Sequence, residues 1–155
     1  MREHTMASAS EKIAYRREYI LSLISAGHSI VDEAGINELA EKFECSKKTI
    51  KQDILLQRAS FDDDALGEIV KLKWNGCRKR AELYGVKNDL DYNQLLHLYL
   101  LSIGTCNYCK QQLHNRAQLV VDHVIPMVKG GSNSIDNVIL SCWLCNIKKG
   151  DKILD

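Results

Sequence analysis

Apolar residues recur at helical spacing through the first two thirds of the chain, then gather into short strand-like runs near its end. Ile13, Ile20, Leu23 and Ile24 lie along one face of a helix that starts near Ser10 and is stopped by Gly27. A second helix fits residues 36–43, with Leu39, Ala40 and Phe43 inward. After the turn Glu44-Cys45-Ser46, a third helix opens at Lys47, with Ser46 as N-cap and Ile50, Ile54 and Leu55 as its buried stripe. Leu66, Ile69, Val70, Trp74, Cys77, Ala81 and Tyr84 then recur at three or four residues, predicting one long helix that ends at Gly85. Asp91 with Gln94 reads as a capping box for a helix running through Leu95, Leu96, Tyr99 and Leu100 to Gly104. Beyond it, Leu119, Val120 and Val121 form a strand-like run that ends in Asp122-His123. A turn-rich stretch from Lys129 to Ser134, a second strand-like run over 137–140 and a short helix over 143–151 complete the chain. The fold class expected is α+β, in three zones: a helical domain over 10–58, a helical connector over 59–103 and a strand-loop-strand-helix domain over 104–155.

Composition narrows the functional classes. With 155 residues, 45% hydrophobic and 26% charged, the chain reads as globular rather than disordered. Its longest apolar stretch, residues 95–103, contains His97 and Ser102 and falls short of the ~20 residues a bilayer helix needs. Residues 1–10 are polar, and Glu11, Lys12, Arg16, Arg17 and Glu18 follow where a secretory leader would be apolar. The expectation is a cytoplasmic protein without membrane association. Lys+Arg 21 against Asp+Glu 20 gives a net charge of +1, but the charge is segregated along the chain. The acidic cluster Asp62, Asp63, Asp64 and Glu68 precedes Lys71, Lys73, Arg78, Lys79 and Arg80. That basic run falls opposite the apolar stripe of the long helix, as a solvated surface or as an arm that contacts phosphate.

The segment INELAEKFECSKKTIKQDI, residues 36–54, resembles the helix-turn-helix of bacterial transcription regulators. The resemblance implies that Lys47, Lys48, Thr49, Lys51 and Gln52, at the start of the second helix of the motif, reach bases and phosphates of DNA. Cys45 in the turn reads as a small apolar filler, and Cys77, on the apolar stripe, as core.

Six cysteines without an export signal favour metal ligation over disulfides. Cys106-Asn107-Tyr108-Cys109 and Cys142-Trp143-Leu144-Cys145 are two C-x-x-C pairs with 32 residues between them. Each pair presents two thiolates from one knuckle, and together they complete a tetrahedral zinc site that is closed and therefore structural. A redox dithiol is the other reading, but that calls for one pair in a βαβ setting.

The stretch VDHVIPMVKGGSNSIDNVILSCWLCNIKKGD, with the earlier CNYC, resembles the HNH nuclease family. Members have a ββα-metal site commonly stapled by four cysteines, and the match covers about the last 50 residues, at Asp122, His123, Asn137, Asn146, Lys149 and Gly150. It implies His123 as general base and Asp122 and Asn146 as ligands of a catalytic Mg²⁺ or Mn²⁺. It further implies that Asn137 bonds across the hairpin to orient His123 and that Lys149 contacts phosphate. Asn146 stands where the family name has its second histidine, and an amide oxygen suits a hard cation better than Zn²⁺. The residue types fit independently of the name: phosphodiester hydrolysis needs a base with a pKa near neutrality and a cation for the developing charge. One geometric caution arises, because consecutive strand residues point to opposite faces, so Asp122 and His123 serve one site only if the strand ends or distorts there. His97 and His114 lack matched spacing and are left out. The expected function is a metal-dependent DNA endonuclease positioned by the helix-turn-helix, resembling phage-encoded homing endonucleases and some restriction-type enzymes in architecture. The alternative is a non-catalytic zinc-containing DNA-binding regulator. One ββα site cuts one strand, so a double-strand break needs a homodimer or two successive nicks.

Overall fold

The computed structural model describes residues 8–28, 30–59 and 62–154; the first seven residues, part of the polar N-terminal reading, lie outside them. The chain divides into two compact units, residues 1–58 and 59–155.

The first unit is built from α1 (Ala9–Ser25), α2 (Glu33–Lys42) and α3 (Lys47–Arg58). Each helix opens on a side-chain cap: Ser8 accepts from the Glu11 backbone, Asp32 from Gly35 and Ser46 from Thr49. Asp32 explains why α2 begins three residues before the expected position, since its first turn, Glu33-Ala34-Gly35, carries no large apolar residue to signal it. Both α1 and α2 end in a left-handed turn that returns a backbone bond to the helix, His28 N to Leu23 O and Cys45 N to Ala40 O, each 3.0 Å. Gly27 takes that conformation in the first case; in the second it falls to Glu44 (φ 47°), a residue type that gives no sequence signal for it.

Ile20, Ile36, Leu39, Ile50 and Ile54 form the core of this unit, with Phe43 and Cys45 packed against it. Leu55 is only half-buried, and Asp53 and Gln57 turn inward instead. The Asp53 carboxylate takes one bond from Arg16 Nε (2.6 Å) and one from Arg17 Nε (2.8 Å), joining α3 to α1. A buried carboxylate is tolerable only with such partners, and apolar periodicity cannot report it.

The second unit contains α4 (Asp63–Tyr84), α5 (Tyr92–Ser102), β1 (Val120–His123), β2 (Val138–Ser141) and α6 (Trp143–Lys149). Asp62 caps α4, and Gly85 (φ 63°) closes it with a bond from Val86 N to Ala81 O. The capping box of Asp91 and Gln94 opens α5 as the sequence predicts. The strands pair antiparallel, with Val120 opposite Ser141 and His123 opposite Val138. Leu66, Val70, Leu95, Tyr99, Leu119 and Leu140 are fully buried in this unit. The helices expected as a connector over 59–103 therefore share one compact unit with the strands.

Lys73 departs from the expected solvent-facing basic run. Its Nζ lies inside, 3.0 Å from Tyr99 Oη, 2.6 Å from Ala117 O and 2.5 Å from Leu119 O. Burial lowers its pKa to about 8, so the ammonium is charged at neutral pH and its three donors meet three oxygens. It pins the chain entering β1 to α4 and α5. Tyr99 Oη also donates to Leu119 O (2.7 Å), so removing Lys73 orphans Ala117 O in particular. Lys73→Met is expected to lower unfolding free energy by about 1–3 kcal/mol, the cost of a buried carbonyl without a partner, measured by denaturant titration. Lys71, Arg78, Lys79 and Arg80 remain exposed, and at the end of the stripe Tyr84 is exposed and Trp74 half-buried. No helix among the described residues is long and apolar enough to cross a membrane.

Candidate functional site

The two C-x-x-C pairs converge. The sulfurs of Cys106, Cys109, Cys142 and Cys145 all lie within 4.8 Å of one another, and Cys109 Sγ is 3.9 Å from Cys142 Sγ. A disulfide would demand about 2.05 Å. Four sulfurs at ~2.3 Å from a central zinc would stand about 3.8 Å apart, so the spacing fits a tetrahedral ion. Local backbone prepares the thiolates. Burial alone would raise the Cys106 thiol, but hydrogen bonds from the backbone of Cys142, Cys109 and Tyr108 and from the Cys109 side chain hold it down to about 6. Cys145 is pushed up to about 12, first by its bond with Cys142 and then by burial.

The same knuckle reaches the second cluster. Tyr108 Oη, between Cys106 and Cys109, donates to Asp122 Oδ2 at 2.5 Å. On the other side, Lys149 Nζ from α6 lies 3.2 Å from Asp122 Oδ1 and 2.8 Å from the His123 carbonyl. Lys149 is thus buried against the strand end, where the phosphate-contacting role implied by the family resemblance would have it turned to solvent. The alternation caution is met because β1 stops at His123: Asp122 faces the knuckle and α6, His123 faces the loop before β2, and both border one open cleft with Arg80, Asn146 and Lys149.

His123 is 7% exposed, and its Nε2 lies 2.9 Å from Asn133 Oδ1. Burial holds its pKa below the usual histidine value against the opposing Asn133 bond, and the nearby Arg80 charge adds to the lowering, so the ring is neutral at neutral pH. Asn137 does not touch the ring. Its Oδ1 accepts from Ile125 N (2.9 Å), and its Nδ2 donates to Ile125 O (3.0 Å) and Ser132 O (2.7 Å). It braces the loop that follows His123, and its own carbonyl accepts from Val124 N (2.9 Å). That loop is drawn tight: a Cβ on Gly131 would come within 1.8 Å of Ile125 O, so only glycine fits there.

Asp122, His123, Asn146 and Lys149 are therefore brought together as the sequence implied, while Asn137 acts on backbone. Asn133 and Tyr108 were not singled out by sequence. Tyr108 carried a signal in lying inside a cysteine knuckle; Asn133 looked like one more turn residue. In the other unit, Lys47, Lys48, Lys51 and Gln52 are exposed and Thr49 half-buried, its hydroxyl 2.8 Å from Ser46 Oγ. Lys47 also sits 3.7 Å from Glu33 Oε1.

Residues 106–152 match the family model described as HNH endonuclease. A 63-residue stretch is 38% identical to a protein named CRISPR-associated endonuclease Cas9 from Listeria innocua, covering 39% of this chain and 5% of that protein. The chain thus spans about a twentieth of the length of the curated relative it matches. No solved structure matches the chain. The C-terminal segment, with its antiparallel strand pair, following helix and four-cysteine cluster, is of the HNH type.

Proposed function

We propose that this protein is a metal-dependent DNA endonuclease whose C-terminal unit hydrolyses phosphodiester bonds. The observation that carries the reading is a neutral, buried histidine one residue from a carboxylate, both bordering the cleft that Asn146 also lines. Asp122 and Asn146 offer one carboxylate and one amide oxygen, a hard donor pair that fits Mg²⁺ or Mn²⁺ and leaves most positions to water and phosphate. When bound, the cation supplies charge stabilisation at the phosphate and the leaving oxygen. His123 accepts the proton of the attacking water. Lys149, bonded to Asp122 Oδ1 and to the His123 carbonyl, steadies the carboxylate that would hold the cation and borders the cleft in which a phosphate would meet it. Asn137 holds the loop that carries His123. Arg80, exposed at the cleft edge, meets the phosphate backbone.

The first unit holds DNA through Lys47, Lys48, Thr49, Lys51 and Gln52 on α3, in the manner of a helix-turn-helix. The protein acts in the cytoplasm on a homing- or restriction-like task, possessing one cutting site per chain; a homodimer would cut both strands. Supercoiled plasmid tests the reading. Purified zinc-loaded protein is expected to convert it to open-circular form with Mg²⁺ or Mn²⁺ and to stop when chelator exceeds the cation. Asn146→Ala should raise the Mg²⁺ concentration for half-maximal nicking about 10- to 100-fold. Nicking that persists in excess chelator sinks the proposal, and DNA retardation without cleavage would favour a binding regulator.

A further inference from the structure

We propose that Asn133 and Asn88 are positioning residues for His123, forming an amide relay that locks the neutral imidazole in its Nε2–H tautomer. The inference rests on the nuclease reading for its consequence, but its geometry stands on its own.

The relay runs outward from the ring. His123 Nε2 meets Asn133 Oδ1 at 2.9 Å, Asn133 Nδ2 donates to Asn88 Oδ1 at 2.7 Å, and Asn88 Nδ2 donates to the Arg78 carbonyl at 3.5 Å. A backbone carbonyl can only accept, so the far end, though long at 3.5 Å, favours one direction for every bond. Asn88 must turn its NH₂ to Arg78 and its oxygen to Asn133. Asn133 must then turn its NH₂ to Asn88 and its oxygen to His123. A ring nitrogen facing a carbonyl oxygen has to carry the proton, which leaves Nδ1 as the only acceptor of the neutral ring. The opposite tautomer would set two oxygens against each other, either at Asn133, which is fully buried, or, with Asn88 turned over, between Asn88 and the Arg78 carbonyl.

The backbone makes the relay rigid. Asn133 N donates to Lys87 O at 2.7 Å, and Asn133 O accepts from Asp89 N (3.1 Å) and Leu90 N (2.9 Å). Residues 88 and 133 form a parallel bridge, so the segment after α4 is laced to the loop before β2. Asn88 lies outside the stretch matched to the HNH model, residues 106–152. The state of the base is therefore set from a part of the chain that the family match does not include. For a general base, the tautomer decides whether a lone pair is available at all, and the wrong one leaves the correct geometry idle.

Full-length, zinc-loaded protein labelled with ¹⁵N at histidine gives a direct readout. The ring ¹⁵N shifts of His123, assigned by their loss in His123→Gln, report which nitrogen is protonated in the neutral ring. The wild type is expected to show Nε2–H with bare Nδ1. Asn88→Ala frees Asn133 to turn either way and should give a mixture of tautomers; Asn88 is exposed, so this variant leaves the core intact. Asn133→Leu should lose the preference. In plasmid nicking, kcat should fall about 10- to 100-fold in Asn88→Ala and Asn133→Leu with KM within about twofold. A wild-type ring protonated at Nδ1, or tautomers that do not change in Asn88→Ala, overturns the relay. Tautomers that change without any change in kcat overturn its positioning role. A wild type that shows the expected tautomer yet never cuts overturns the nuclease reading and leaves the tautomer lock standing, so the two failures are distinct.

Discussion

His123→Ala is expected to lower the rate of plasmid nicking about 100- to 10,000-fold while DNA binding stays within about twofold, the range a single general base supplies. The magnitude follows from what the structure puts at the strand end. Among the described residues His123 is the one imidazole bordering the cleft, burial keeps it neutral at neutral pH, and Asn133 engages one of its two nitrogens. The alanine variant keeps Asp122, Asn146 and Lys149, so cation and phosphate contacts persist and the loss should fall on kcat rather than KM. Added imidazole should recover part of the rate, because the substitution vacates the ring's volume beside the cleft. Single-turnover nicking with wild type, His123→Ala and gel-shift controls on the same DNA decides it. A variant that nicks at the wild-type rate removes His123 from the reaction.

Loss of the four-cysteine site should have the largest effect on stability. Cys106→Ser is expected to abolish zinc binding and to unfold the region from Cys106 onward, seen as a zinc-to-protein ratio falling to zero and loss of a cooperative thermal transition. Structural zinc contributes on the order of 10–16 kcal/mol in small domains, as much as the whole stability of an ordinary one. Here two four-residue strands and a seven-residue helix have little core to themselves, and the two knuckles flank the strand pair, the second at the start of α6. Function would fall with the fold, because Tyr108 hangs from the first knuckle and holds Asp122 Oδ2. After complete chelation, Mg²⁺ alone should not restore nicking, whereas Zn²⁺ followed by Mg²⁺ should. A Cys106→Ser protein that stays folded and zinc-loaded refutes the assignment. Tyr108→Phe separates the two roles: zinc content should be unchanged, since the phenol oxygen bonds to Asp122 and not to a sulfur, while stability should fall by about 1–3 kcal/mol for the partner taken from a buried carboxylate.

Much of this was legible in the sequence because it is local chemistry. Cysteines two apart make a knuckle in any surroundings, apolar residues at three and four apart make a buried helical face, and Asp91 with Gln94 makes a cap, so the helices, strands and zinc ligands could be placed by number. That Asp122, His123, Asn146 and Lys149 would lie close together was implied by a resemblance carried by short spacings, and the four border one cleft. Polar groups turned inward were not legible. Lys73 looked like one cation of a surface run until Ala117, Leu119 and Tyr99, up to 46 residues away, were seen to surround it. Asp53 looked like surface charge on α3 until two arginines of α1 were found against it. Asn133 looked like a loop residue until Asn88 and His123 stood on either side of its amide. What the sequence determined by itself was which segments are helix, strand and knuckle, because those depend on neighbours within a few residues. Which polar side chains are buried, and which hydrogen bond fixes the histidine, was decided only in the tertiary structure, because a donor's partner is chosen by proximity in space and no periodicity records it.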